Sequence, residues 1–226
     1  MLTEKQRMEK GLIYIPMDQE ILDKQLKYIN AVHKYNKTKA TQVKKRQKML
    51  KKMFAKVGEN CYFEAPLYSN FGCKHVYLGN HVYSNFNLTL VDDGNIYIGN
   101  DVMIAPNVTI ATAGHPINAR LRQIGYQYNQ DVHIGSNVWI GAGAIIMPGV
   151  TIGDNTIIGA GSIVTKDIPS GVVAVGNPCK VMREVSERDN KYFFKELEID
   201  WDDLNVKWWL NSERYYLFYY YVLVSF

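Results

Sequence analysis

The residue of this 226-residue chain best placed to do chemistry is His115, set between Gly114 and Pro116. Glycine permits unusual backbone angles and proline fixes the residue after it, so the imidazole is given a defined direction. An unperturbed imidazole, with a pKa near about 6.5, is mostly neutral at pH 7 and can take a proton. A lone histidine is more often a surface or structural residue. This one sits in a polar stretch, ATAGHPINARLRQIGYQYNQDVH, which also carries Gly125, Arg120 and Arg122. A second group is Asp92-Asp93-Gly94. It has ordinary turn chemistry, but a carboxylate there could also accept paired hydrogen bonds from hydroxyls. Metal chemistry has less to stand on. The histidines are His33, His75, His81, His115 and His133, and a catalytic zinc wants three protein ligands. The stretch offers no second ligand near His115, so no metal is expected. Cys61, Cys73 and Cys179 are scattered and odd in number, which fits reduced thiols in a cytoplasm.

What must hold these groups is a row of branched apolar residues at six-residue spacing: Ile134, Ile140, Ile146, Ile152, Ile158 and Val164. The same phase appears earlier, at Ile98, Ile104 and Ile110. Helices repeat near 3.6 residues and strands near 2, so a sustained period of six reads as a parallel β-helix. Three hexapeptides make a triangular coil of about 18 residues, stacked at about 4.8 Å. The aliphatic points inward, and the glycine that often follows fits a tight corner. The repeat loops out at 111–133, between Ile110 and Ile134, and re-enters in phase. Loops carried by rigid scaffolds tend to hold function. Extra residues also occur around Val91–Gly94.

The expected organisation is an N-terminal helical segment at 1–57, coils at 58–179, and a C-terminal helix with an aromatic tail at 180–226. Helices are expected at 3–10, 18–35 and 40–56, with Asp18 as an N-cap. The third helix needs a partner for its apolar face, and the first coils supply one. Residues 180–197 read as helical. The run at 215–224 is aromatic, β-forming and uncharged, and is expected to pack against this chain or a neighbour. Charge is uneven: 15 Lys/Arg against 5 Asp/Glu in residues 1–57, and 11 against 17 thereafter. With few aromatics or arginines there, the basic segment reads as a solvated helix surface, with no nucleic acid. No stretch is long enough to span a membrane, and no signal peptide is evident.

NFNLTLVDDG, IAPNVTI, GHP, VWIG, VTIGDNTIIGAGSIVTKDIP and GNPCKVMRE together resemble the maltose and galactoside O-acetyltransferases, a family of hexapeptide-repeat acyltransferases. The resemblance covers roughly residues 4–197. It implies a mainly β fold, a left-handed parallel β-helix. It also implies a homotrimer with active sites between subunits, and transfer of an acetyl group from acetyl-CoA to a sugar 6-hydroxyl. By this resemblance His115 is the general base and Asn85 stabilises the transition state. Acceptor contacts fall at Asn70, Asn85, Asp93 and Gln127; the family's N-terminal sugar-contacting acid aligns with Pro16, and Asp18, two residues on, is taken as its counterpart. Coenzyme A contacts fall at Ala142, Ala160, Thr165, Lys166, Lys180 and Arg183. The chain departs from the galactoside enzyme at Asn70, where that enzyme has Ser, and at Gln127, where it has Met. Lys180 stands for an Arg, and so lacks the guanidinium fork. Ala142 stands for a Ser, leaving a backbone N–H as the donor to the oxyanion. The segment KGLIYIPMDQEIL is closer to the maltose enzymes. Alternatives on the same scaffold are xenobiotic or amino-sugar O-acetylation, a metal-dependent hydratase, and a non-catalytic scaffold.

Overall fold

The computed structural model describes residues 1–202 and 204; the aromatic run at 215–224 lies outside them. Two compact units divide the chain, Met1–Arg183 and Glu184–Phe226. In the first, the six-residue rows become three faces of a parallel β-helix. Face 1 stacks seven strands: Tyr62–Phe63, Tyr83–Ser84, Met103–Ile104, Trp139–Ile140, Ile157–Ile158, Val172–Val175 and Lys180–Glu184. Face 2 stacks Leu67–Ser69, Leu88–Val91, Thr109–Ala111, Ile145–Ile146 and Ile163–Val164. Face 3 stacks Val76–Leu78, Ile96–Ile98, Val132–Ile134 and Thr151–Ile152. Inward residues pair in register, Ile134 with Ile152, Ile140 with Ile158 and Ile146 with Val164, and all six are buried. Burying such a side chain is worth about 1.5–3 kcal/mol. Outward on face 3, Tyr77 stacks on Tyr97 at 4.9 Å and Tyr97 on His133 at 4.8 Å, the inter-strand spacing itself.

The glycines after the inward aliphatics serve a purpose other than backbone freedom. A Cβ on Gly99 would lie 2.7 Å from the backbone of Gly135, and one on Gly141 would lie 2.5 Å from the Ala160 nitrogen. The next coil passes too close for a side chain. The left-handed corner positions belong instead to residues such as Asn87, Asn107, Asn137 and Asn155, whose short polar side chains tolerate that geometry. At the corner from face 3 to face 1, each coil is also tied to the next. Asn80 N–H donates to Asn100 Oδ1, Asn100 N–H to Ser136 Oγ, and Ser136 N–H to Asp154 Oδ1.

The corner from face 2 to face 3, here the second edge, is where the rhythm breaks. Nine residues separate the in-register positions Ser69 and Leu78, eight separate Leu90 and Ile98, and 24 separate Ile110 and Ile134. The surplus residues of three successive coils are therefore stacked on one edge. The longest surplus is closed at its base by an antiparallel pair, Ala113–Gly114 with Tyr128–Asn129. It carries a short helix, Ala119–Ile124, capped by the Asn118 side chain and ended by Gly125 at φ +97.

Helices α1 (Glu4–Glu9), α2 (Gln19–Asn36) and α3 (Val43–Met53) precede the coils. Leu50, Met53 and Phe54 join the same core as Phe63 and the coil interior, so α3 finds the partner its apolar face requires. Arg46 in α3 is buried and reaches Glu64 Oε2 at 3.1 Å and the Tyr62 hydroxyl at 2.8 Å. Burial pushes the Glu64 carboxyl up, and the Arg46 charge opposes this. Asn36 at the end of α2 donates to Leu67 O and accepts from Leu67 N–H, completing the first strand of face 2.

The helix expected over 180–197 is not formed. Lys180–Glu184 extends face 1, where β-branched Val181 and open strand edges favour pairing. In the second unit a five-residue helix, Glu187–Lys191, leads into a hairpin of Tyr192–Phe194 with Leu197–Glu198. Aromatic β-formers after Lys191 stop the helix.

Candidate active site

The surplus residues of the second edge assemble a polar cluster. Asp93 is buried, and its Oδ2 accepts from Asn70 Nδ2 at 3.0 Å. Its Oδ1 accepts from Gln127 Nε2, also at 3.0 Å. Gln127 Nε2 donates as well to the Tyr14 hydroxyl at 2.6 Å, and that hydroxyl donates to Asn129 Oδ1 at 3.2 Å. Three acceptor residues named from sequence, Asn70, Asp93 and Gln127, are thus brought together. Tyr14 and Asn129 are additions that sequence reasoning missed. Backbone bonds in both directions between Tyr14 and Gln127 hold the N-terminal segment against the excursion. Burial, and then the Asp93 charge, push the Tyr14 hydroxyl up, so it remains a neutral donor. Asn129 Nδ2 is buried without a partner among the described residues. A cavity of about 550 Å³ lies beside the cluster, lined in part by Asp93, Asn129, Glu9 and Asp131.

Asp92 has a different task. Its Oδ1 accepts from Ser69 Oγ and Phe71 N–H, and its carbonyl receives His75 Nδ1 at 2.7 Å. It organises the surplus turn of the coil below. Asp18 caps α2, accepting from Glu20 N–H at 3.1 Å, and no hydrogen bond joins it to the Asp93 cluster.

His115 is exposed at the start of the excursion, with Nδ1 2.8 Å from the Tyr126 carbonyl. A carbonyl only accepts, so Nδ1 carries the hydrogen and Nε2 holds the lone pair in the neutral ring. Asn85 lies at the corner from face 1 to face 2, the first edge. Its Oδ1 accepts from Phe86 N–H at 2.8 Å, which turns Nδ2 outward with no partner among the described residues. Ala142 and Ala160 stack on the same edge, joined by Gly161 N–H to Ala142 O at 2.8 Å. Both are exposed, and their own N–H groups carry no backbone bond among the described residues. Thr165 and Lys166 are exposed where the chain leaves face 2 for the last time, and Lys180 and Arg183 are exposed on the final strand of face 1. The candidate groups are therefore divided. Asn85, Ala142 and Ala160 occupy the first edge. His115, Asp93, Asn70 and Gln127 occupy the second, one whole face away. No hydrogen bond among the described residues joins the two sets. No group of three or more His, Cys, Asp or Glu among those residues is arranged to hold a metal.

Comparison with known proteins agrees with both the coils and their cap. The profile described as bacterial transferase hexapeptide (six repeats) matches residues 131–166, and that described as maltose acetyltransferase hexapeptide capping motif matches 7–58. Fold and motif thus define a hexapeptide-repeat transferase. The chain is 48% identical over 202 residues to galactoside O-acetyltransferase of Lactococcus lactis, covering 89% of this chain and 98% of that one. It is 46% identical over 195 residues to galactoside O-acetyltransferase of Escherichia coli, covering 86% and 96%. A solved galactoside acetyltransferase in complex with coenzyme A superposes with a TM-score of 0.85 at 44% identity, covering 88% of this chain and 100% of that one. A maltose O-acetyltransferase from Clostridium difficile 630 does so at 0.80 and 42%, covering 82% and 98%. This chain belongs to the family of galactoside and maltose O-acetyltransferases.

Proposed function

We propose that the chain transfers an acetyl group from acetyl-CoA to a hydroxyl, the 6-hydroxyl, of a maltose-, glucoside- or galactoside-type sugar. The observation that carries this reading is the fixed imidazole of His115 in a chain of this family. Nε2 takes the proton of the acceptor hydroxyl as its oxygen attacks the thioester carbonyl, and no acyl-enzyme forms. The tetrahedral oxyanion needs donors in place beforehand, and Asn85 Nδ2 with the Ala142 N–H suits that task. Collapse expels the CoA thiolate, which recovers the proton from His115. Small, stacked Ala142 and Ala160 suit a thin pantetheine arm, and Thr165, Lys166, Lys180 and Arg183 suit its phosphate end. Asp93, Asn70 and Gln127 orient the sugar, with Asp18 at the margin. No helix among the described residues is long and apolar enough to cross a membrane. The three cysteines are free thiols, all buried, which supports a reducing cytoplasm.

The division of groups between two edges supports a site shared by neighbouring subunits. Three prisms packed side by side about a three-fold axis bring the first edge of one subunit against the second edge of the next. The exposed apolar column of Met103 and Trp139 on face 1 gives such packing a surface. The test is complementation. His115→Ala and Asn85→Ala chains, each inactive alone in a CoA thiol-release assay with a sugar panel, are co-expressed in equal amounts. Random trimers then place both intact groups in about one quarter of the sites, and about that share of wild-type turnover is expected. No recovery would place both groups in one subunit. Full activity of His115→Ala alone would end the base mechanism.

A further inference from the structure

The hydrogen-bond directions around Asp93 select among acceptors. An ionised carboxylate only accepts, so both neighbouring amides must face it with nitrogen. Gln127 Nε2 has three acceptors in reach, the Tyr14 hydroxyl at 2.6 Å, Asp93 Oδ1 at 3.0 Å and Asn129 Oδ1 at 3.4 Å, and its two hydrogens serve the nearer two. It has no donor left, and its Oε1, not fully buried, has no partner among the described residues. Asn70 spends one hydrogen on Asp93 and keeps the other, with its Oδ1 open. The relay beyond Gln127 is directed too, since the Tyr14 oxygen receives from Gln127 and its hydrogen goes to Asn129 Oδ1. What remains for a ligand at this cluster is mostly lone pairs: one on each Asp93 oxygen, Gln127 Oε1 and Asn70 Oδ1, against one hydrogen of Asn70. A hydroxyl brings one hydrogen and two lone pairs, and finds few donors here. An ammonium brings three hydrogens and no lone pair. Charge points the same way, because the adjoining cavity carries Glu9, Asp93 and Asp131 against Lys10. Asn129, a residue of that cavity wall only 5% exposed, keeps its Nδ2 buried and without a partner among the described residues.

We propose that the sugar acetylated by this chain bears a free protonated amine, and that Asn70, Asp93 and Gln127 read that ammonium. The inference rests on the acetyl-transfer reading above and on Asp93 as an acceptor group. Three acceptors separate it from that reading: methyl 2-amino-2-deoxyglucoside, methyl glucoside, and the N-acetylated form of the amine. Initial rates are measured with acetyl-CoA and the intact protein, and ester formation is read by mass spectrometry and its loss in mild base. The amine is expected to exceed both neutral sugars about tenfold in kcat/KM, chiefly through KM, because contacts to a charged donor are stronger. Gln127→Met, which keeps the chain length and removes the open oxygen, is expected to reduce that preference to about threefold or less. Equal or poorer use of the amine overturns the proposal, as does a preference unchanged in Gln127→Met. If no sugar is acetylated, the acetyl-transfer reading fails. Calorimetric binding of the same three sugars then decides the amine preference by itself: tighter binding of the amine sustains it, and equal binding ends it.

Discussion

Face 1 of the prism and its second edge follow opposite rules within the same coils. On the face, strand follows strand in register, the inward side chains are aliphatic above Ser84, and a Cβ on Gly141 would have nowhere to go. On the edge, successive coils differ in length, and the groups brought together are a carboxylate, three amides, a phenol and an imidazole-bearing excursion. Each kind of information has its own place in the coil. The repeat supplies a stiff ladder whose stability comes from apolar burial. The breaks in the repeat gather the polar groups, and they do so at low energetic risk because the ladder resumes in phase after each one.

The largest effect is expected on the edge. His115→Ala is expected to lower kcat by about 10²–10⁴, the usual worth of a positioned base. Its melting temperature should not move, since the side chain is exposed; a large fall in Tm would make the excursion part of the structural core. The opposite signature is expected on the ladder. Ile146→Ala should cost about 2–5 kcal/mol of stability, read as a lower denaturant midpoint, while molecules that remain folded keep their turnover. Gly141→Ala forces the neighbouring coil aside and is expected to cost about 1–3 kcal/mol. Because Ala142 and Ala160 adjoin it, its KM for acetyl-CoA is expected to rise as well. A Gly141→Ala protein as stable as the parent would show that the coils separate more easily than their spacing implies. The smallest effect belongs to Lys166→Ala, a several-fold rise in the KM for acetyl-CoA with that for the sugar unchanged. Equal changes in both would move Lys166 away from the donor end.

Most of the ladder was legible in the chain, because one phase of Ile and Val survives from Ile98 to Val164 and no helix or simple strand repeats every six residues. The capping helices were legible from their apolar stripes and from Asp18. Residues 180–197 were misread, since a short amphipathic stretch does not reveal that an open strand edge awaits it. On the edge, His115 and Asp93 could be picked out, the latter through resemblance. Tyr14 could not: it meets Gln127 113 residues away, and no period links them. Asn129 had a usable signal. Spacing between in-phase positions grows at one corner in three coils running, which marks the residues of those surpluses as neighbours, but only if the polar Ser69 is admitted to the apolar row.

The pair of short strands at the base of the excursion, Ala113–Gly114 with Tyr128–Asn129, works as a clasp. What hangs beyond a clasp can be lengthened, shortened or exchanged without changing the pitch of the screw that carries it. Substitution can then act on the two separately: the thread is held to tight tolerances, while the pendant is free to vary. For an engineer the same clasp marks where to cut, since a foreign loop joined at Gly114 and Tyr128 inherits a finished mount.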